Sequence, residues 1–151
     1  MLLTGLLSDI TTDPAIETAT DSVEAGRSGT IVAPVGIRPP LLAAVASRAA
    51  TPLVVLTATG RDAESLTNAL ASWIPGVAML PAWETLPHER LSPQVDTMAR
   101  RIAVLRRLVH PIKGDDSAGP ISVLVVPIRG FLQPIISGLA DLEPVRVRTG
   151  D

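Results

Sequence analysis

The chain of 151 residues has no cysteine and no tyrosine. Without thiols there is no disulfide, thiolate metal site or cysteine nucleophile, an absence in keeping with the cytoplasm. Lysine is almost missing too: Lys113 is the single one among 13 basic residues. Aromatics make up only 2% (Trp73, Trp83 and Phe131) against 46% apolar residues. The core must therefore be built from Val, Ile, Leu and Ala, the usual filling between a parallel sheet and its helices. A net charge of −2 leaves no electrostatic footprint for nucleic acid. No run approaches the roughly 18 apolar residues that span a bilayer. The opening MLLTGLLSDITTD lacks the basic region of a signal peptide. These absences predict a soluble, cytoplasmic protein with no membrane partner.

What is present centres on Leu80–Pro93, the stretch LPAWETLPHERLSP. Pro81, Pro87 and Pro93 interrupt it too often for one helix or a central strand. Trp83 and Leu86 among charges are too ordered a composition for a linker. It reads as a structured connection crossing the carboxyl ends of a parallel sheet, where such folds place their working loops.

The first 28 residues are weakly patterned. Leu2, Leu3, Leu6, Leu7 and Ile10 have helical spacing, and Asp13 to Gly29 reads as a polar, partly flexible connection. From Thr30 the pattern sharpens into strands at Thr30–Val35, Pro52–Thr57, Val77–Leu80, Ile121–Val126 and Glu143–Val147. Between them lie a helix from Arg38 to Ala50 with prolines in its first turn, and one opened by the capping box Thr59-Gly60-Arg61-Asp62. A third helix takes Ser92 as N-cap and Pro93 as N1 and runs to Val109. Val95, Met98, Ile102, Leu105 and Val109 form its apolar face. A short helix over Ile128–Ile136 is weakened by Pro134. The fold class is α/β: an open, mostly parallel sheet with helices on both faces. The lobe occupies residues 29–151 behind an N-terminal segment of 1–28, and its last strand heads toward further protein, as in a fragment of a longer chain.

Such sheets usually bind phosphates, so the phosphate chemistry decides the class. A Walker A loop needs glycine-freed amides and a lysine. The turn after the first strand reads Ala33-Pro34-Val35-Gly36-Ile37-Arg38-Pro39-Pro40, with one glycine and three prolines. Lys113 sits in a loop with no strand to aim it. A magnesium-binding Asp is missing where Ile121–Val126 ends in Pro127-Ile128-Arg129. No Gly-x-Gly-x-x-Gly occurs, and Thr57-Ala58-Thr59-Gly60 is explained by capping. His88 and His110 lie on separate loops without metal-ligand spacing. His88-Glu89 beside Glu84 suggests acid–base work, but local ion pairing is the simpler reading. No cofactor and no catalytic residue are expected. Trp83 reads as an inward-packing anchor rather than a base-stacking platform. Arg100, Arg101, Arg106 and Arg107 form a candidate basic face for phosphate backbones or an acidic partner; the ordinary alternative is a solvated helix face.

The run Pro81-Ala82-Trp83-Glu84-Thr85-Leu86-Pro87-His88-Glu89-Arg90-Leu91-Ser92-Pro93, followed by Asp96-Thr97 and Arg106-Arg107-Leu108, closely resembles the N-terminal region of bacterial transcription-repair coupling factors. Val123–Pro127 with Leu132-Gln133-Pro134 resembles that family's next element. The resemblance covers about Thr30 to Gly150 and is most specific at Trp83-Glu84-Thr85-Leu86-Pro87. It implies a lobe like the first ATPase-type domain of UvrB, a degenerate P-loop fold whose nucleotide site is lost. It makes Trp83, Glu84, Thr85, Leu86, Pro87, Glu89 and Arg90 a structural or interaction loop. It further implies a longer polypeptide that removes lesion-stalled RNA polymerase with a separate ATP-driven DNA-translocating motor. That polypeptide would recruit UvrA, mostly through a small domain inserted beyond Asp151. The tyrosine-rich hairpin of UvrB has no counterpart here. Partners of the chain itself would be the other domains of its polypeptide, with RNA polymerase and DNA met only by the full-length protein. An independent nucleotide-binding domain using Gly36 or Gly60, or a DNA-binding domain using the arginines, are the alternatives.

Overall fold

The computed structural model describes residues 2–85, 92–138 and Leu142. The sheet has three parallel strands in the order β1-β3-β2: β1 Leu53–Thr57, β2 Val77–Met79 and β3 Val123–Pro127. Val123 pairs with Leu53 on one side and Val77 on the other, so the later strand is inserted between the two earlier ones. β3 is buried along its whole length. This explains why it reads as a continuous apolar run rather than an alternating one.

Helices lie on both faces, as the sequence implies. One face is covered by α1 (Thr4–Thr11), α2 (Pro14–Glu24), α3 (Arg38–Arg48) and α4 (Gly60–Leu70). Its core joins Leu7, Ile16, Leu41, Ala43, Ala44, Ala63, Leu70 and Ile74 to Val123 and Val125. The other face is covered in part by α5 (Val95–Val109), where Val104 packs with Ala78, Leu80, Ile121, Leu124 and Val126 while Val54 and Leu56 of β1 stay about half exposed. A single turn, α6 (Ile128–Phe131), follows β3; Pro134 comes soon after it. Gly76 has φ at +73°, and its carbonyl accepts the amides of Ser122 and Val123 and so aligns β2 with β3. A Cβ there would sit 2.8 Å from the Pro120 carbonyl oxygen.

Several expectations hold locally. Thr59 caps α4, its hydroxyl accepting the Asp62 amide at 3.1 Å while donating to the Asp62 carboxylate at 2.7 Å. Pro39 and Pro40 occupy the first turn of α3, where a missing N–H costs least.

Others are corrected. Asp13 to Gly29 is not a polar connection: Asp13 caps α2 by accepting the Ala15 amide at 2.8 Å, and Pro14 takes N1. Arg48 at the end of α3 then reaches Thr20, Asp21 and Glu24, with ion-pair distances of 2.8 and 2.7 Å to the two carboxylates. Thr30–Val35 is not a strand; Val32 is 95% exposed, and Val35–Ile37 forms a 3-10 turn into α3. Extended sequence preference alone does not make a strand where no neighbouring strand is offered. Ile128–Ile136 is one helical turn, not a longer helix. The expected strand at 143–147 lies outside the described residues.

The largest correction concerns α5. Its N-cap is Gln94, not Ser92, and it begins at Val95. Of the five residues read as the buried face, Leu105 packs against the core, but Val95, Met98, Ile102 and Val109 are 80%, 38%, 56% and 45% exposed. Thr97, Arg101 and Val104 point inward instead. The helix is rotated by roughly 110° from the orientation its apolar pattern predicts, at 100° per residue.

Candidate functional site

The rotation of α5 is explained by the stretch that leads to it. Beyond β2 the Leu80 amide still bonds the Val125 carbonyl at 3.0 Å, so Leu80 is buried and the chain leaves the sheet at Pro81. The Pro81 carbonyl accepts a hydrogen bond from Arg101. The Arg101 guanidinium lies over the Trp83 indole, 4.6 Å from the ring centroid. Arg101 is 2% exposed, and burial pushes its pKa below the usual guanidinium value. Among the described residues its Nε has no acceptor. A planar, weakly hydrated cation that stacks on an aromatic face is the basic side chain best suited to such a place.

Trp83 is half-buried and clasped from the other side. Its amide donates to Gln133 Oε1 at 2.7 Å, and Gln133 Nε2 donates to its carbonyl at 3.3 Å. Gly130 of α6 lets this side close, since a Cβ there would lie 3.3 Å from the Ala82 backbone. The Glu84 carbonyl accepts from Arg129 at 3.3 Å. The Glu84 carboxylate takes the Thr97 hydroxyl. That bond is the main cause holding its carboxyl below the usual carboxylate range, with the Glu84 and Gln94 amides adding to it. Glu84 thus ties the loop to the first turn of α5 through the Thr97 side chain, while the N-cap residue Gln94 makes no side-chain cap. A side-chain bond from the preceding loop leaves no local signature, whereas Ser92 followed by Pro93 reads as a cap.

The family-motif loop is therefore divided. Trp83 and Glu84 sit in this network, and Thr85 is half-buried beside it. Leu86, Pro87, Glu89 and Arg90, with His88, lie outside the described residues. The four arginines do not form one basic face. Arg101 is withdrawn under Trp83, Arg107 donates to the Gly119 carbonyl at 2.9 Å, and Arg100 makes a loose pair with Asp96 at 3.7 Å. Arg106 faces the Asp115 loop, whose carboxyl is held low first by Ser117 and only weakly by Arg106. Sequence reasoning saw Gln133 and Thr97 only as parts of a motif; neither carries a local signal of its role. Among the described residues no cluster of three metal-ligating side chains occurs.

A concavity of about 660 Å³ lies between α3, β1 and α4. It joins the two glycine turns considered for phosphate, being lined by Val35 and Arg38 on one side and Thr57, Ala58 and Asp62 on the other. Its walls are aliphatic, including Leu42, Val55 and Leu66. Arg38 is the cation at its edge. Asp62 places a carboxylate at the N-terminus of α4, the position an anion would otherwise take.

No family model matches the chain. Among curated proteins, the transcription-repair-coupling factors of Mycobacterium bovis and Mycobacterium tuberculosis are each 46% identical over 125 residues, 81% of this chain. That of Escherichia coli is 29% identical over 96 residues, 63% of the chain. The chain spans about a tenth of the length of the mycobacterial relatives, at 10% of each. Among the described residues no helix is long and apolar enough to cross a membrane. With its Trp83 loop locked onto α5, this α/β lobe belongs to the transcription-repair-coupling factor family, as the counterpart of the N-terminal region of those proteins.

Proposed function

We propose that the chain is a non-catalytic scaffold lobe within the UvrB-homology module of a transcription-repair coupling factor, working in the cytoplasm without a cofactor. On this reading it is a P-loop-type lobe whose nucleotide site has degenerated. It helps hold the module through which the full-length protein recruits UvrA, while a separate motor removes stalled RNA polymerase from DNA. The observation that carries the reading is the turn Pro34–Pro40. Where a phosphate cradle would need free amides and a lysine, it has a 3-10 turn over Val35–Ile37, then prolines at 39 and 40. The carboxylate of Asp62 across the same concavity adds to the case. The residues around Trp83 support a structural role, since their polar groups are spent on one another.

The test is calorimetry and thermal denaturation of the protein with Mg-ATP. No saturable heat and an unchanged Tm at millimolar nucleotide are expected. A ligand present at 100 times its Kd would stabilise by about 2.7 kcal/mol, which such a scan detects. Saturable binding abolished by Arg38→Ala would instead favour an independent nucleotide-binding domain, for which the 660 Å³ concavity is the one favourable observation.

A further inference from the structure

The outer side of α5 presents Val95, Met98, Ile102 and Val109, spaced by three, four and seven residues and between 38% and 80% exposed. Such an aligned aliphatic stripe on a helix is ordinarily turned to a core. Here it cannot turn inward. Arg101 is fixed beneath Trp83 and on the Pro81 carbonyl, and Thr97 is fixed on Glu84, so the buried contacts hold the stripe outward. The inner face of the helix is already occupied by Val104 against β2 and β3. An outward stripe held there by a dedicated polar lock is a surface built for a partner.

We propose that this stripe is the docking site for another domain of the same polypeptide, one that offers an aliphatic patch edged by carboxylates. The inference rests on the reading of the chain as one lobe of a longer protein. The 125 matched residues are 10% of the mycobacterial relatives, so polypeptide is available to cover the stripe. The edge chemistry follows from Arg106, which lies beside Val95 around the helix, whereas Arg100 and Arg107 fall on the far side and Arg101 is buried. A second copy would bring two helices of like charge together, which disfavours self-association.

The experiment uses the full-length polypeptide carrying Ile102→Cys, treated with a maleimide and read at that residue by peptide mass spectrometry. Modification is expected to be about tenfold or more slower than in the urea-unfolded protein, and unchanged on dilution. The Arg100→Cys variant, on the other flank of α5, is expected to react within about threefold of the unfolded rate. Rapid modification of the residue at 102 overturns the proposal. So does protection lost on dilution, which would mark a second copy as the occupant, or equal protection at both positions. Nucleotide binding by the same protein is measured separately, so failure of the docking site and failure of the scaffold reading are told apart.

Discussion

Arg101 and Trp83 form a stacked pair, guanidinium 4.6 Å from the indole centroid, that joins the middle of α5 to a loop 18 positions earlier in the chain. Its arginine is almost wholly buried and, among the described residues, makes a charge-assisted hydrogen bond to a carbonyl, that of Pro81. The pair does what a hydrophobic contact could not, since it sets the rotation of the helix as well as its position.

Removing the indole should destabilise the lobe. For Trp83→Ala, a half-buried aromatic that also loses its cation partner, the expected loss is about 2–3 kcal/mol in urea unfolding. An unchanged midpoint would mean that the stack contributes nothing and that Trp83 serves a partner instead.

The partnership itself is measurable. In a double-mutant cycle of Trp83→Leu and Arg101→Met, the coupling is expected to be about 1–2 kcal/mol favourable. Arg101→Lys should not restore it, because a compact ammonium group cannot stack as the planar guanidinium does. Full rescue by lysine would show that charge alone matters at this position.

Glu84 makes the stability depend on acid. Its carboxyl is depressed in the folded state, first by the Thr97 hydroxyl. The contribution is therefore present above the ordinary glutamate range, near pH 4.5. It is lost as pH falls through the lower folded value. Glu84→Gln should lower stability at pH 7 and flatten its decline below about pH 4.5. Thr97→Val should have the same effect on the slope. Parallel profiles for wild type and both variants would show that the Glu84–Thr97 bond contributes nothing to stability.

Gly76 tests the alignment of β2 with β3. With φ at +73° and the Pro120 carbonyl 2.8 Å from where a Cβ would lie, Gly76→Ala meets both strain and collision. A loss of about 2–3 kcal/mol is expected by denaturant unfolding. Gly36→Ala, where nothing lies within 4 Å, is the control and should change stability by less than about 1 kcal/mol.

Much of the architecture could be read from local pattern. Thr59 with Asp62, and Pro39 with Pro40, sit where capping and first-turn preferences put them. The runs at Leu53–Thr57 and Val123–Pro127 are apolar enough to be parallel strands in any context. The segment Asp13–Glu24 escaped because its composition is polar; its cap and Pro14 were there to be seen, but its support is Arg48, more than twenty residues away. Of the candidate site, Trp83 stood out by its surroundings. Gln133, Thr97 and the burial of Arg101 did not, for hydrogen bonds between distant segments leave no periodicity.

By itself the sequence determined the α/β class, the aliphatic core, and the absence of a lysine and of a glycine-rich loop at the turn before α3, because each depends on residue type and short spacing. Only the tertiary structure decided the order β1-β3-β2 and which side of α5 faces the sheet. A hydrophobic pattern says that a helix has an apolar side, not what lies opposite it. For α5 the nearer neighbours were Trp83, Pro81 and Glu84, and their hydrogen bonds and stacking turned Arg101 inward and the aliphatic stripe out.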